Sequence, residues 1–276
     1  MLGPFYQFCM NSQGGLVTHA ILSELSGYVL TLSINNPTAR NAWNPAMEQA
    51  LRAALQAADV NPAVRVVVLT GAGATFCPGA DPKALSAPER AQGGGYPGMC
   101  AEPRFLYMLA LRKPLIAAIN GAAAGVGMCL TLFCDLRFMV EDAKITTSFV
   151  RRGLIAEHGS AWLLTRLIGS MNAADLLLSG RVLTGREAES LGLVRALARD
   201  GFMHHVQAYA QDLATHCSPR SMAVIKAQLS AVWQQDIQQA MILARLETEH
   251  ALGAVDFKEG VASYLERRTP GFPELI

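Results

Sequence analysis

The stretch Arg112-Lys-Pro-Leu-Ile-Ala-Ala-Ile-Asn-Gly-Ala-Ala-Ala-Gly-Val-Gly-Met-Cys-Leu130 decides the fold. Leu115 to Ile119 is a short apolar run with β-branched members, which suits a covered strand. Asn120 and Gly121 break it. Ala122 to Gly127 carry almost no side-chain bulk, so another group can come close to the backbone. The apolar run from Met128 to Phe133 continues as a helix. A helix starting there leaves free backbone N–H groups and a positive dipole end facing the turn, where a developing negative oxygen can be stabilised. A tight strand–helix packing turn is the other reading of this segment taken alone.

A second loop of the same kind follows the strand-like run Val64 to Thr70. It reads Gly71-Ala-Gly-Ala-Thr-Phe-Cys-Pro-Gly-Ala-Asp81. Two such loops can each offer one backbone N–H to the same oxygen atom. A carbonyl that passes through an enolate or a tetrahedral anion needs such a pair of donors.

Composition describes a compact chain. Its 276 residues are enough for a large core, 51% are hydrophobic, and the net charge is +1. That balance gives no electrostatic case for nucleic acid or an acidic membrane surface as partner. Pro114 to Cys134 is long and uncharged enough to raise a membrane span. The Asn-Gly break and glycines at its centre fit strand–turn–helix instead. The first Arg or Lys is Arg40, which argues against a secretory signal or a basic transit peptide. The six cysteines show no CxxC pair or framework spacing and read as reduced thiols of a cytoplasmic protein. No metal-ligand spacing and no phosphate-binding GxxxxGK[ST] loop occurs.

Three regions emerge: a loose extension over 1–19, a core over 20–200 and a helical region over 201–276. Strands are expected near Ala20–Leu25, Gly27–Ile34, Val64–Leu69, Leu115–Ile119, Leu136–Val140 and Lys144–Thr147. Helices are expected near Pro45–Ala58, Pro103–Ala110, Gly159–Leu167, Ala173–Leu178 and Gly185–Leu191. Their alternation implies an α/β core. Ser86 to Pro103, with its Gly93-Gly-Gly-Tyr-Pro-Gly98 run, reads as a loop that either roofs a pocket or has no role.

The chain resembles the crotonase (enoyl-CoA hydratase/isomerase) superfamily. The matching pieces run in order: Ile34-Asn-Asn-Pro-Thr-Ala-Arg-Asn-Ala42, Phe76-Cys-Pro-Gly-Ala-Asp81, Lys113 to Gly121 with Gly125-Val-Gly127, Leu178 to Thr184 with Gly192-Leu-Val194, and Asp256 to Arg268. The resemblance spans about Ile21 to Phe272. It implies a crotonase-like spiral of ββα turns with a helical C-terminal region that drives assembly into a homotrimer or a dimer of trimers. It also implies an acyl-CoA thioester as substrate, with coenzyme A part of that substrate and no separate cofactor. The oxyanion hole would be the N–H groups of Ala80 and Val126. Adenine and pantetheine contacts would fall on Arg40, Ala42, Ala80 and Asp81, and phosphate-side contacts on Lys83, Tyr264 and Arg267, the last two from a neighbouring subunit.

The catalytic carboxylates depart from the hydratase pattern. The two positions that hold glutamate in the family's hydratases are Cys129 and Phe149 here. A carboxylate remains at Glu157, within Gly153-Leu-Ile-Ala-Glu-His-Gly159, where the Δ3,Δ2-enoyl-CoA isomerase branch carries its single acid–base. A helix N-terminal acid is the structural alternative for Glu157. Cys129 reads as a packing thiol before a nucleophile, His158 as a capping or surface ring, and Trp162 as pocket wall or core. The favoured expectation is double-bond isomerisation by Glu157. A hydratase or thioester hydrolase using Glu157 to activate water, and a non-catalytic acyl-CoA binder, remain alternatives.

Overall fold

The computed structural model describes residues 9–10, 16–17, 20–81 and 103–275. The expected loop over Ser86 to Pro103 therefore lies almost wholly outside the described residues, as does most of the extension. Within the latter, β1 (Cys9–Met10) and β2 (Leu16–Val17) pair antiparallel.

The core strands are β3 (Ile21–Ser26), β4 (Val29–Ile34), β5 (Val66–Gly71), β6 (Leu115–Ile119), β8 (Leu136–Val140) and β11 (Arg195–Leu197). They form one sheet in the order β11-β8-β6-β5-β4-β3. Only the β3–β4 hairpin is antiparallel. Every residue of β5 and β6 is buried, which explains why both read as continuous apolar runs and not as alternating ones. A smaller sheet, β10-β9-β7, is made from Leu183–Thr184, Lys144–Thr146 and Ala123–Ala124. A bridge from Cys77 to Ala123 extends it.

Successive passes of the chain thus lay one rung in the large sheet and one in the small sheet. β6 is followed by β7 and helix α2 (Val126–Leu132), and β8 by β9 and helix α3 (Ser160–Ser179). This is the ββα spiral of the crotonase fold. The rungs of the small sheet are two or three residues long, too short to leave a period-2 signal in the sequence.

Helix α1 (Pro45–Val60) is placed by its caps and its stripe. Asn44 accepts from Met47 N at 3.0 Å, Pro45 opens the first turn, and Met47, Leu51, Leu55 and Ala58 face the core. Helix α5 (Phe202–His216) buries Phe202, Val206, Ala210 and Ala214 at the same spacing, and packs on β4, β5 and β6. Between them, α4 (Gly185–Ser190) is closed by a Thr184–Glu187 capping box.

Three local expectations change. Pro103–Ala110 is not an α-helix but a short 3₁₀ turn over Leu106–Ala110. The two helices expected on either side of residue 170 form one run, α3, interrupted at Gly169, whose φ of 79° and ψ of 161° are not helical. Helix α2 begins at Val126 and not at Met128. At the C-terminus, α6 (Pro219–Ala231), α7 (Ile237–Gly253) and α8 (Val255–Glu266) break at Pro219 and Gly253 as read from the sequence. Lys226 of α6 ties this region to the core by donating to Asp135 Oδ2 at 2.7 Å and to Lys113 O at 3.0 Å. The same Asp135 oxygen accepts from Leu115 N.

The two loops are clamped together by backbone. Cys77 N donates to Ala122 O, and Ala124 N donates to Cys77 O, both at 3.0 Å. Gly127 lies so close that a Cβ there would land on the carbonyl oxygen of Cys77. Gly127→Ala is expected to force the loops apart and cost about 1–3 kcal/mol. Gly253→Ala, with nothing nearby to meet, should be close to neutral. Thermal unfolding of both variants beside wild type checks this.

Candidate active site

The clamp carries the two candidate N–H donors. Trp43 N donates to Gly79 O at 2.8 Å and Asp81 N donates to Trp43 O at 3.0 Å. Successive N–H groups of an extended segment alternate in direction, so that of Ala80 points away from Trp43. Val126 is the first residue of α2, where an N–H has no partner within the helix. Neither N–H donates to another described residue. Gly125, with φ 52° and ψ −120°, makes the turn that precedes Val126, a conformation open to glycine and strained for other residues. Cys77 to Asp81 and Ala123 to Val126 thus form two short, polar-edged rails.

Ala80 and Val126 both line a cavity of about 260 Å³. Ala39, Arg40 and Ala42 form one side of it. Ser148, Phe149, Arg152, Leu154, Glu157 and His158 form another, and Arg104 contributes a guanidinium. Glu157 is the one carboxylate among the described lining residues. Its backbone is fixed from two sides: Glu157 O accepts from Ser160 N at 3.0 Å and from the Cys129 thiol at 3.8 Å. Its side chain is 17% exposed, and its Oε2 lies 4.0 Å from Nε2 of His158. The helix that follows begins only at Ser160, three residues on, with Gly159 at its cap. Glu157 therefore stands outside the first turn, and the reading of it as a helix N-terminal acid loses its basis.

His158 corrects its expectation. It is a wall of the cavity and not a surface ring. Its side chain is 13% exposed, and its ring meets Phe105 edge-on at 5.6 Å between centroids. Burial first, and the Arg104 guanidinium second, push its pKa down to about 4. Arg104 is itself held at 2.8 Å by Glu48, which also accepts from Trp43 Nε1 at 3.1 Å. Both causes disfavour a charged ring, so near neutral pH His158 is neutral.

The residues expected at the hydratase positions behave as packing groups. Phe149 is buried and presents its ring to the cavity. Cys129 is buried, and its thiol is pushed up to about 12, chiefly by burial and then by the nearby Glu157 charge. Such a thiol does not supply a thiolate nucleophile. Trp162, expected as pocket wall or core, is neither: it is 45% exposed and packs against Trp233, with Arg166 over its face at 3.6 Å.

Of the residues expected to contact CoA, Arg40, Ala42, Ala80 and Val126 come together at the cavity. Asp81 is adjacent but not among the lining residues. Tyr264 and Arg267 lie at the end of α8 and do not line the cavity of the single chain; Tyr264 is strongly exposed. Lys83 lies outside the described residues. Sequence reasoning missed Arg104, Arg152 and Ser148 as walls, and Asn41 and Asn120 as staples of the loop. Asn41 Nδ2 donates to Ala72 O and Thr75 O at 2.9 and 2.7 Å. Asn120 Nδ2 donates to Gly71 O and Gly73 O at 2.8 Å. The Asn120-Gly121 pair is a turn signal that could have marked the second; Asn41, between Arg40 and Ala42, carries no such signal.

Known proteins resemble this chain along nearly its whole length. The sequence model for enoyl-CoA hydratase/isomerase matches residues 24–274. A 1,2-epoxyphenylacetyl-CoA isomerase of Escherichia coli is 31% identical, with 91% of this chain and 97% of that protein covered. A probable enoyl-CoA hydratase of Rhodobacter capsulatus is 34% identical, with 92% and 98% covered. The crystal structure of a probable enoyl-CoA hydratase/isomerase from Mycobacterium abscessus superposes with a TM-score of 0.85 at 31% identity, covering 92% of this chain and 99% of the other.

His158 makes stability depend on pH. Between its unfolded pKa of 6.5 and its folded value of about 4, the unfolded chain binds a proton that the folded ring refuses. Stability is therefore expected to fall as pH falls through that window, by about 3 kcal/mol at most from this one group. His158→Gln should lose less stability across the same range. Urea unfolding of the two proteins at pH 7 and pH 4.5 measures the difference.

Proposed function

Because this chain belongs to the enoyl-CoA hydratase/isomerase family, we propose that it shifts a double bond in an enoyl-CoA thioester, with Glu157 as the single acid–base. The observation that carries this reading is the lone carboxylate in the described cavity wall, with Phe149 and Cys129 at the hydratase positions. The thioester oxygen accepts from the N–H groups of Ala80 and Val126. Glu157 removes a proton from C2, and the electron pair delocalises into a dienolate whose negative oxygen the two N–H groups hold. The protonated Glu157 then returns the proton to C4, which gives the conjugated thioester and restores the carboxylate. One carboxylate performs both transfers because both carbons lie on the same allyl segment. Arg40 and Ala42 hold the CoA part, joined by Asp81, Lys83, Tyr264 and Arg267.

The E. coli relative is named for isomerising an acyl-CoA that carries an epoxide, a different bond change on the same kind of thioester. The hydratase name of the Rhodobacter relative favours a second reading, in which Glu157 activates water for hydration or thioester hydrolysis. A non-catalytic acyl-CoA binder is the third. Conversion of trans-3-enoyl-CoA to the conjugated 2-enoyl thioester, followed by ultraviolet absorbance, separates them. Glu157→Gln should lower this turnover about 10²–10⁴-fold while binding of a saturated acyl-CoA persists. Hydration or hydrolysis without isomerisation in wild type would select the second reading, and binding with no turnover at all would select the third.

The proposal extends to a homotrimer or a dimer of trimers in the cytoplasm. Helix α7 buries none of its residues in the single chain, yet it carries exposed Ile237, Met241, Ile242 and Leu246. Such a face is costly to leave in water. Sedimentation velocity at micromolar concentration is expected to show a trimer or hexamer, and a monomer would refute it.

A further inference from the structure

Glu157 is set by its backbone, but a base that serves two carbons also needs its carboxylate aimed. His158, in the same cavity wall, is placed to help aim it. His158 Nε2 stands 4.0 Å from Glu157 Oε2, both side chains are mostly buried, and both line the cavity. The ring is not loosely placed. Phe105, itself fully buried, packs edge-on against it, and the backbone of His158 is left-handed with φ 54°. That conformation is unfavourable for most residues, though histidine is among those enriched in it. It turns the side chains of two consecutive residues into one cavity, which a helical or extended backbone would separate.

We propose that His158 is the positioning residue for Glu157, closing from 4.0 Å to a hydrogen bond when an acyl group fills the cavity and fixing the carboxylate by an Nε2–H donated to Oε2. This rests on the reading of Glu157 as the acid–base. Hydrogen bonds at empty catalytic sites are often long and tighten in the complex. A neutral donor suits the task better than a charged one. An imidazolium would form an ion pair with the carboxylate and weaken it as a base, whereas a neutral N–H orients it at a smaller cost in basicity. Arg104, on its Glu48 anchor, helps keep the ring neutral. Among the described residues, the other titratable groups near this pair are the buried Cys129 thiol and the cavity arginines Arg40 and Arg152.

The test is the pH dependence of kcat, which reports the groups of the substrate complex, for 3-enoyl-CoA isomerisation in wild type, His158→Gln and His158→Phe, with Glu157→Gln beside them. His158→Phe keeps an aromatic ring for Phe105 but has no N–H to donate. Its acid limb is expected to move up by about one pH unit, with kcat falling about tenfold and KM little changed, since a hydrogen bond to a carboxylate favours its ionised form. His158→Gln, which retains a neutral N–H donor, should recover most of both. An acid limb and kcat in His158→Phe that superimpose on wild type would overturn the assignment. So would equal losses in the Phe and Gln variants with no movement of the limb, the pattern of a merely structural residue.

A second readout needs no substitution. Saturated acyl-CoA added to wild type should move the His158 Nε2–H proton resonance downfield as the bond forms, and an unmoved resonance in the saturated complex would overturn the proposal. The two levels fail separately. If Glu157→Gln leaves turnover intact, the acid–base reading falls. If Glu157→Gln abolishes turnover but His158→Phe matches wild type, only the role of His158 falls.

Discussion

The site depends on one close approach of backbone to backbone. Cys77 is sewn to Ala122 and Ala124 by two hydrogen bonds, and Gly127 leaves no Cβ between α2 and the Cys77 carbonyl. Gly121 does the same against the Ala74 carbonyl one turn earlier. These contacts are short because the residues are small, and they place two loops from different passes of the spiral side by side. Each loop ends on an N–H that donates to no other described residue. An oxyanion hole made in this way needs no side chain, and its geometry is as stiff as the sheets that anchor it. Pre-set dipoles of this kind do not have to reorganise when charge develops, which is where their catalytic value lies.

Around that fixed pair, the side chains grade from charge to neutrality. Glu48 holds Arg104, Arg104 and burial hold His158 neutral, and His158 borders Glu157. The one carboxylate of the described wall therefore stands beside a neutral ring. The buried lysines do different work at the far side of the core. Lys113, with its pKa pulled down to about 8 by burial, caps the end of α1 by donating to Ala58 O and Asn61 O. Lys226 joins the C-terminal helices to β6 through Asp135. Neither approaches the cavity, and both replace lost hydration with backbone carbonyls or a carboxylate.

Much of this was legible in the sequence, for physical reasons that differ by element. The strands β5 and β6 announced themselves because a strand covered on both faces must be apolar throughout. The two loops were visible because only small residues can approach so closely. The smaller sheet was not legible, since rungs such as Ala123–Ala124 are shorter than one period of any pattern. His158 and Trp162 were exchanged in character. A histidine next to an acid looks solvated and a tryptophan looks buried, but the left-handed turn at His158 folds it inward, and Trp162 lies on the outer face of α3. Arg104 could not be found from sequence at all. Its place at the wall depends on Glu48, 56 positions earlier, and no local spacing encodes that pair.

The chemistry proposed for the cavity follows from what the chain has lost as much as from what it keeps. Splitting water across a double bond needs two groups to hold the water and move its protons. At one of the two positions the cavity meets the apolar ring of Phe149, and at the other lies a thiol too poor an acid to serve. Moving a double bond asks for less, since the proton removed is the proton returned. An apolar ring in the wall that carries a single carboxylate then becomes useful, because it helps keep solvent from quenching the dienolate before the proton comes back. On that reading the replacement of two glutamates is not a loss of function on an old scaffold. The choice between adding water and shifting a bond then rests on which positions of the cavity wall carry a carboxylate.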